Sequence, residues 1–203
     1  MTNDKSQIPN DKPQEAVRGA RAPVTMEAAV WALVGVGALA LRLARLGAAP
    51  LSAPEAREAL LAWQAVTGQG MPGSTAYSPF LFSANALLFL LFGAADATAR
   101  LWPAVFGAAL VLTPLLFRRR VGRVGALGAG AYLALSPTAL LASRQLDGAV
   151  VAAAGLMAAL GGVVRLRETR ERRWLVLSAA GLALALASSS AAYGLALVLI
   201  LPG

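Results

Sequence analysis

The sequence predicts an all-α protein that crosses a membrane several times, and its composition, apolar segment lengths and charge placement support this. Of its 203 residues, 58% are hydrophobic and 14% are charged, whereas a soluble domain is about a quarter charged. Several apolar runs approach the length of about 20 residues that spans the hydrocarbon core of a bilayer. Lysine and arginine are concentrated in a few segments between these runs, which is typical of loops retained on the cytoplasmic side.

The residue types that are absent restrict the possible chemistry. The chain has no cysteine and no histidine, which excludes disulfides, zinc sites of the usual type and histidine-dependent nucleophilic catalysis. A bound metal would therefore be a hard cation such as magnesium or manganese, held by carboxylates. The net charge of +8 is explained by membrane topology, so we expect no nucleic-acid partner.

The first segments of the chain are a polar tail and an apolar run. Residues 1–23 are polar and rich in Asn, Asp, Lys, Gln and Pro, which predicts a disordered cytoplasmic tail ahead of a transmembrane domain over 24–203. The first span is predicted at 24–46. Arg42 and Arg45 share one helical face near its end; they either snorkel to the headgroups or help to hold an anionic phosphate.

The segment 46–79 is the one long, mostly non-spanning stretch between apolar runs. Pro54 suits the first turn of a helix, and Glu55 and Glu58 lie where the helix dipole favours acids. This predicts an amphipathic helix over 54–67 at the membrane surface. The apolar run 80–92 is too short to span comfortably, so we expect a second interfacial or re-entrant helix there.

The remaining apolar runs predict further spans, at 97–117, 124–142, 149–164 and 174–187, with a partial one at 191–201. If 80–92 does not cross, the tail and the two basic loops after 117 and 164 fall on one side, with thirteen of the 18 Lys and Arg residues. If it crosses, both loops face away from the tail, which the positive-inside bias disfavours. The short last run predicts that this chain is the N-terminal part of a longer protein.

Two acids on the opposite, outer side are not required by the topology. Glu55 and Asp147 each lie where a span emerges, and ionisable groups near membrane depth are costly. Each also has a purely structural explanation: Glu55 can complement a helix dipole and Asp147 can be a helix N-cap. A transporter is disfavoured, because no span carries an acid at its centre.

Two blocks of sequence resemble one family of membrane enzymes. They are LFGAADATARLWPAVFG, which contains Arg100, and LALSPTALLASRQLD, which contains Arg144 and Asp147. Together with the PL-x3-EA sequence at 50–56, they resemble the family 39 membrane glycosyltransferases, which include the protein O-mannosyltransferases and the aminoarabinose transferases of lipid A. The resemblance covers roughly 39–161.

The resemblance implies a fold, a substrate and a site. It implies a GT-C-type helical bundle in a cell membrane, which we expect to be bacterial, that transfers a sugar from a polyprenyl-phosphate donor on the outer face. Glu55 and Asp147 match acids that would serve in catalysis and in holding a divalent cation. Arg100 and Arg144 match arginines that would face the lipid phosphate.

One position departs from the family pattern. The family's first outer loop carries an Asp-Glu pair, but here the pair is Pro54-Glu55, and proline cannot accept a proton. Either Glu55 serves as the base, or the protein is an inactive scaffold or a binder of lipid-linked sugar. Whether the chain is an enzyme therefore stays open at this point, as do the sugar, the acceptor and the oligomeric state.

Overall fold

The computed structural model describes residues 26–69 and 78–194, and these residues form helices without any strand. The predicted tail and the end of the predicted last run lie outside the described residues. The helices in order are α1 (Met26–Leu43), α2 (Ala53–Thr67), α3 (Pro79–Phe92), α4 (Asp96–Ala99), α5 (Leu101–Leu112), α6 (Arg118–Leu135), α7 (Pro137–Ala142), α8 (Gly148–Thr169) and α9 (Arg172–Ser188). A short 3-10 helix, Thr113–Phe117, joins α5 to α6.

The helical class is confirmed for the described residues, and part of this bundle is suited to a membrane. Within residues 26–69 and 78–194, three helical stretches are long and apolar enough to cross one, by length and composition: Met26–Leu43, Asp96–Leu135 and Gly148–Thr169. Many large apolar side chains of α1 are exposed, including Leu33 and Val36, as expected for a surface that faces lipid. The GT-C type itself stays a prediction.

The 40-residue stretch Asp96–Leu135 reverses its direction at one glycine. Gly122 has φ 78° and ψ 168°, a conformation that glycine adopts without the steric cost of a Cβ. Beyond it, α6 runs back along α5, since Gly130 approaches the Val111 carbonyl and Ser143 approaches Gly107. The helical parts before and after Gly122 correspond to the predicted segments 97–117 and 124–142. That each part crosses the membrane separately stays a prediction.

The helices α8 and α9 form a second antiparallel pair, with glycines at the points of closest approach. A Cβ on Gly155 would lie 2.6 Å from the Gly181 carbonyl oxygen, and a Cβ on Gly181 would lie 2.6 Å from the Gly155 carbonyl oxygen. Small residues let helix backbones approach closely where no hydrophobic effect drives the packing, as in lipid. Ser178 adds a hydrogen bond of 2.8 Å to the Ala159 carbonyl.

The side chain of Arg42 is placed neither for contact with lipid headgroups nor for binding an external phosphate, the two roles considered from the sequence. Its side chain is 1% exposed and donates to the carbonyls of Ala38 and Leu133, each at 3.1 Å. The Leu133 carbonyl would bond the amide of residue 137 in a continuous helix, but Pro137 has no N–H. Arg42 therefore satisfies an acceptor that the proline leaves open. Arg45, in contrast, is exposed.

Both basic loops lie at the same end of the bundle as the start of α1. Glu27 contacts Arg118 at 2.7 Å and Arg123 at 3.6 Å. Glu168, near the end of α8, contacts Arg119 at 3.8 Å and Arg120 at 3.7 Å. The end that carries these residues is called the basic end below. Which side of a membrane it faces stays a prediction.

The helix α3 has both of its ends at the opposite end of the bundle. Its N-cap Ser78 lies beside Gly148, the first residue of α8. Its C-terminal residue Phe92 is followed within four residues by α4, which leads directly into α5. This placement favours a helix that does not cross between the two ends, although the membrane position itself stays a prediction.

Candidate functional site

The end opposite the basic end is organised around one carboxylate. Glu55, in the first turn of α2, is 5% exposed. Its Oε1 accepts from Arg100 Nε at 2.9 Å and from the Leu146 amide at 2.8 Å. Its Oε2 accepts at 2.8 Å from Arg100 Nη2 and from both the amide and the hydroxyl of Ser52. These five bonds join three segments that are distant in the sequence.

The guanidinium group of Arg100 also donates hydrogen bonds to backbone carbonyls. Besides Glu55, it donates to the carbonyls of Ala49 at 2.7 Å and Pro50 at 3.1 Å, and to that of Leu46 at 3.4 Å. The side chain of Arg100 is 8% exposed. A buried ion pair is stable only when hydrogen bonds satisfy its remaining donors and acceptors. Arg100 and Glu55 meet this condition, so their pair fixes the loop between α1 and α2 against the start of α5.

The hydrogen bonds set the ionisation of Glu55. Burial would raise the pKa of Glu55, but the hydrogen bonds from Arg100, Ser52 and Leu146 outweigh burial and lower the pKa to about 2. Charge-assisted bonds of this kind favour the ionised form. A carboxylate with such a low pKa and with both oxygens engaged is a poor proton acceptor.

Asp147 has a different environment beside the same network. It is exposed and precedes α8, where its Oδ1 accepts from the Ala149 amide at 3.0 Å. This is the N-cap role considered from sequence, and it satisfies one orphan amide of the helix. The cap occupies Oδ1, and the exposed carboxylate still lines a cavity.

A cavity of about 360 Å³ lies between α2, the start of α3 and the loop before α8. Its lining combines polar and apolar groups and is formed by Ser52, Pro54, Glu55, Glu58, Ser78, Leu81, Gln145, Leu146, Asp147 and Gly148. Carboxylates, hydroxyls and an amide are the groups that recognise a ligand rich in hydroxyls. The cavity is the strongest candidate for a binding site in the part of the chain described.

The structure brings some of the predicted site residues together and separates others. Glu55 and Asp147 line the cavity, and Arg100 reaches it only through Glu55. Arg144 instead directs Nη2 to the carbonyls of Ala44 and Arg45, at 2.8 and 3.1 Å. It thereby holds the end of α1 against the loop before α8.

Sequence reasoning did not select four polar residues of the cavity, namely Ser52, Glu58, Ser78 and Gln145. Glu58 lies three residues after Glu55, so the two carboxylates share a helix face. This spacing could have identified Glu58 as a candidate site residue. Gln145 lies in the loop beside Asp147, and nothing in its sequence context distinguishes it. Both line the cavity with Asp147.

The divalent cation stays a prediction, and one of its two predicted ligands, Glu55, already accepts hydrogen bonds from protein donors. Divalent magnesium and manganese need several free oxygen ligands, but both oxygens of Glu55 are already engaged. No group of three or more acidic side chains that could hold a metal occurs within 26–69 and 78–194.

Comparisons with known proteins found no matching family model, no matching curated protein and no matching solved structure. The resemblance to family 39 thus rests on the two sequence blocks and the PL-x3-EA sequence alone.

Proposed function

We propose that the chain is a glycosyltransferase-like membrane protein whose cavity receives the sugar of a polyprenyl-phosphate donor. The observation that carries this proposal is the cavity itself, which gathers Glu58, Gln145 and Asp147 at the end of the bundle away from the basic loops. Membrane topology places basic loops on the cytoplasmic side, so the cavity would open on the outer face, where such donors are used.

Asp147 is the best candidate for the general base in this proposal. Its carboxylate would take the proton of an acceptor hydroxyl, whose oxygen attacks the anomeric carbon of the sugar. The bond from that carbon to the phosphate oxygen breaks, and the polyprenyl phosphate leaves with the electron pair. Arg144 donates to two carbonyls through Nη2 but is partly exposed. It is therefore the better candidate for the lipid phosphate than Arg100, which is buried and donates to protein acceptors through all three guanidinium nitrogens.

Glu55 has a supporting role in this mechanism. Its ion pair with Arg100 fixes α2 and the amide of Leu146, and Leu146 is the residue immediately before Asp147. Glu55 therefore helps to position Asp147, the proposed base, and does not accept a proton itself.

The proposal is tested by sugar transfer with purified protein in lipid nanodiscs and a radiolabelled polyprenyl-phosphate sugar. Asp147→Asn should lower transfer by about a hundredfold or more, the usual contribution of a general base. The matched control is Asp96→Asn, since Asp96 lies at the same end of the bundle but outside this cavity. Equal transfer by the wild type and Asp147→Asn would rule out Asp147 as the base.

A second candidate function is the binding of lipid-linked sugar without transfer. The observation that favours it is Pro54, which lines the cavity where the resembled family has an acid. Under this alternative the wild type binds the donor but transfers nothing, and Pro54→Asp gains no activity. Retention of the labelled donor on the immobilised protein, measured beside transfer, separates the two functions.

A further inference from the structure

The basic end of the bundle has a strong excess of positive charge. Two segments, 118–123 of α6 and 165–173 around the turn between α8 and α9, contribute nine arginines. Among the described residues, the acids at this end are Glu27, Glu168 and Glu171, so the nine arginines and these three glutamates have a net charge of +6. We call the surface formed by these nine arginines the arginine face.

Ion pairs within the arginine face leave most of its guanidinium groups accessible. Glu27 is shared between two arginines and Glu168 between three. The side chains of Arg119, Arg120 and Arg123 nevertheless remain 58%, 60% and 79% exposed. Exposed pairs of this kind contribute little to stability, so these arginines remain available for an external anion.

Part of the arginine face is held rigidly. Arg165 lies over the ring of Trp174, with 5.8 Å between its guanidinium carbon and the ring centroid, and donates to the Leu115 carbonyl at 3.1 Å. Arg173 lies over the same ring from α9, at 5.1 Å. These contacts connect α8 and α9 to the 3-10 helix before α6. The two arginine segments are therefore held in fixed positions relative to each other.

The side chains next to these arginines indicate the class of ligand. Val121 and Val124 lie among the arginines of α6 and are 56% and 85% exposed. In α9, Leu175 and Val176 follow Arg173 and are 56% and 63% exposed. A ligand that uses this whole surface carries anionic oxygens and a hydrocarbon chain. Soluble polyphosphates supply only the anionic oxygens, and nucleic acids add bases and sugars but no hydrocarbon chain, whereas anionic phospholipids supply both anionic oxygens and hydrocarbon chains.

We infer that the arginine face binds the headgroups of anionic phospholipids. The phosphate contacts the exposed arginines of α6, and the first methylenes of the acyl chains contact the adjacent valines. This inference does not depend on the sugar-transfer proposal, because the cavity lies at the other end of the bundle.

The first test compares ligands on the wild-type chain in detergent, by native mass spectrometry. Phosphatidylglycerol should bind at least tenfold more tightly than phosphatidylcholine with the same acyl chains. It should also bind more tightly than inorganic pyrophosphate. Equal binding of the two lipids overturns the inference. Tighter binding of pyrophosphate, or displacement of the lipid by a DNA oligonucleotide, also overturns it and identifies a site for a soluble polyanion.

The second test changes the arginines of α6. The combined variant Arg119→Gln, Arg120→Gln and Arg123→Gln should weaken binding of phosphatidylglycerol by about fivefold per arginine, the usual contribution of a basic residue near anionic lipid. The control Arg57→Gln removes an exposed arginine outside the arginine face and should leave binding unchanged. An unchanged affinity in the combined variant overturns the inference.

Two further variants keep the inference testable if the combined variant does not fold. Replacing the same three arginines by lysine keeps the charge and should retain most of the binding. Val124→Ser removes an exposed apolar contact and should weaken binding of the lipid but not of pyrophosphate. Loss of lipid binding in the lysine variant, or equal effects of Val124→Ser on both ligands, contradicts the proposed geometry.

Discussion

The carboxylate of Glu55 connects three segments that are far apart in the chain. Its partners belong to the turn before α2, the start of α5 and the loop before α8. Removal of one partner from a buried ion pair leaves the other charge uncompensated, which costs several kcal/mol. At the scale of a single residue, Glu55 is therefore mainly a structural group of the candidate site.

Glu55→Gln should lower the stability of the folded chain at neutral pH. The decrease in the pKa of Glu55 from 4.5 to about 2 corresponds to about 3 kcal/mol. Thermal unfolding in detergent, followed by circular dichroism, measures the loss. The control Asp96→Asn should unfold within a few degrees of the wild type. Unchanged unfolding of Glu55→Gln would show that the ion pair contributes nothing to stability.

The same network predicts a pH dependence. Because the folded-state pKa of Glu55 lies below its unfolded value, the stabilisation is complete above about pH 4.5 and is lost as the pH falls towards 2. The wild type should therefore lose more stability than Glu55→Gln between pH 5 and pH 3. Parallel losses in the two proteins would contradict this assignment.

At the scale of helices, close packing of α8 and α9 depends on glycine. A Cβ on Gly155 would contact the Gly181 carbonyl and the Ala185 amide, at 2.6 and 3.0 Å, and backbone atoms cannot move aside as a flexible side chain can. The two helices would have to separate, which removes packing along the whole pair.

Gly155→Ala should destabilise this helix pair by about 1–3 kcal/mol, the usual cost of overpacking. Gly128→Ala is the matched control, because Gly128 is also helical and a Cβ there meets no atom within 4 Å. Since alanine has the higher helix propensity, the control should be neutral or slightly stabilising. Thermal unfolding of both variants decides between these outcomes, and equal melting temperatures would contradict the close approach.

At the scale of the whole molecule, the two ends differ in chemistry. One end carries the arginine face, and the other carries the Glu55 network and the cavity. The positive-inside bias orients such a molecule with its basic end in the cytoplasm. This orientation predicts that the cavity and both ends of α3 lie on the outer side.

Single introduced cysteines test this topology cleanly, because the chain has none of its own. Arg123→Cys should be protected from a membrane-impermeant thiol reagent in intact cells, whereas Arg57→Cys should react. Gln69→Cys and Ala94→Cys flank the segment that contains α3, and both should react. Reaction at only one of these two positions would show that the segment between them crosses the membrane.

The sequence by itself determined the helical class, the separation of the chain into apolar helices and basic loops, and two of the acids that line the cavity. These features follow from local composition and from the spacing of apolar residues. In a helix, that spacing decides which side chains are buried, which face lipid and which form a polar surface. The tertiary structure alone decided that Arg100, 45 residues from Glu55, is its partner, and that Arg42 is buried against the carbonyl left open by Pro137. Such pairings depend on which segments the packed helices bring within hydrogen-bond distance, and no local pattern in the sequence encodes that distance.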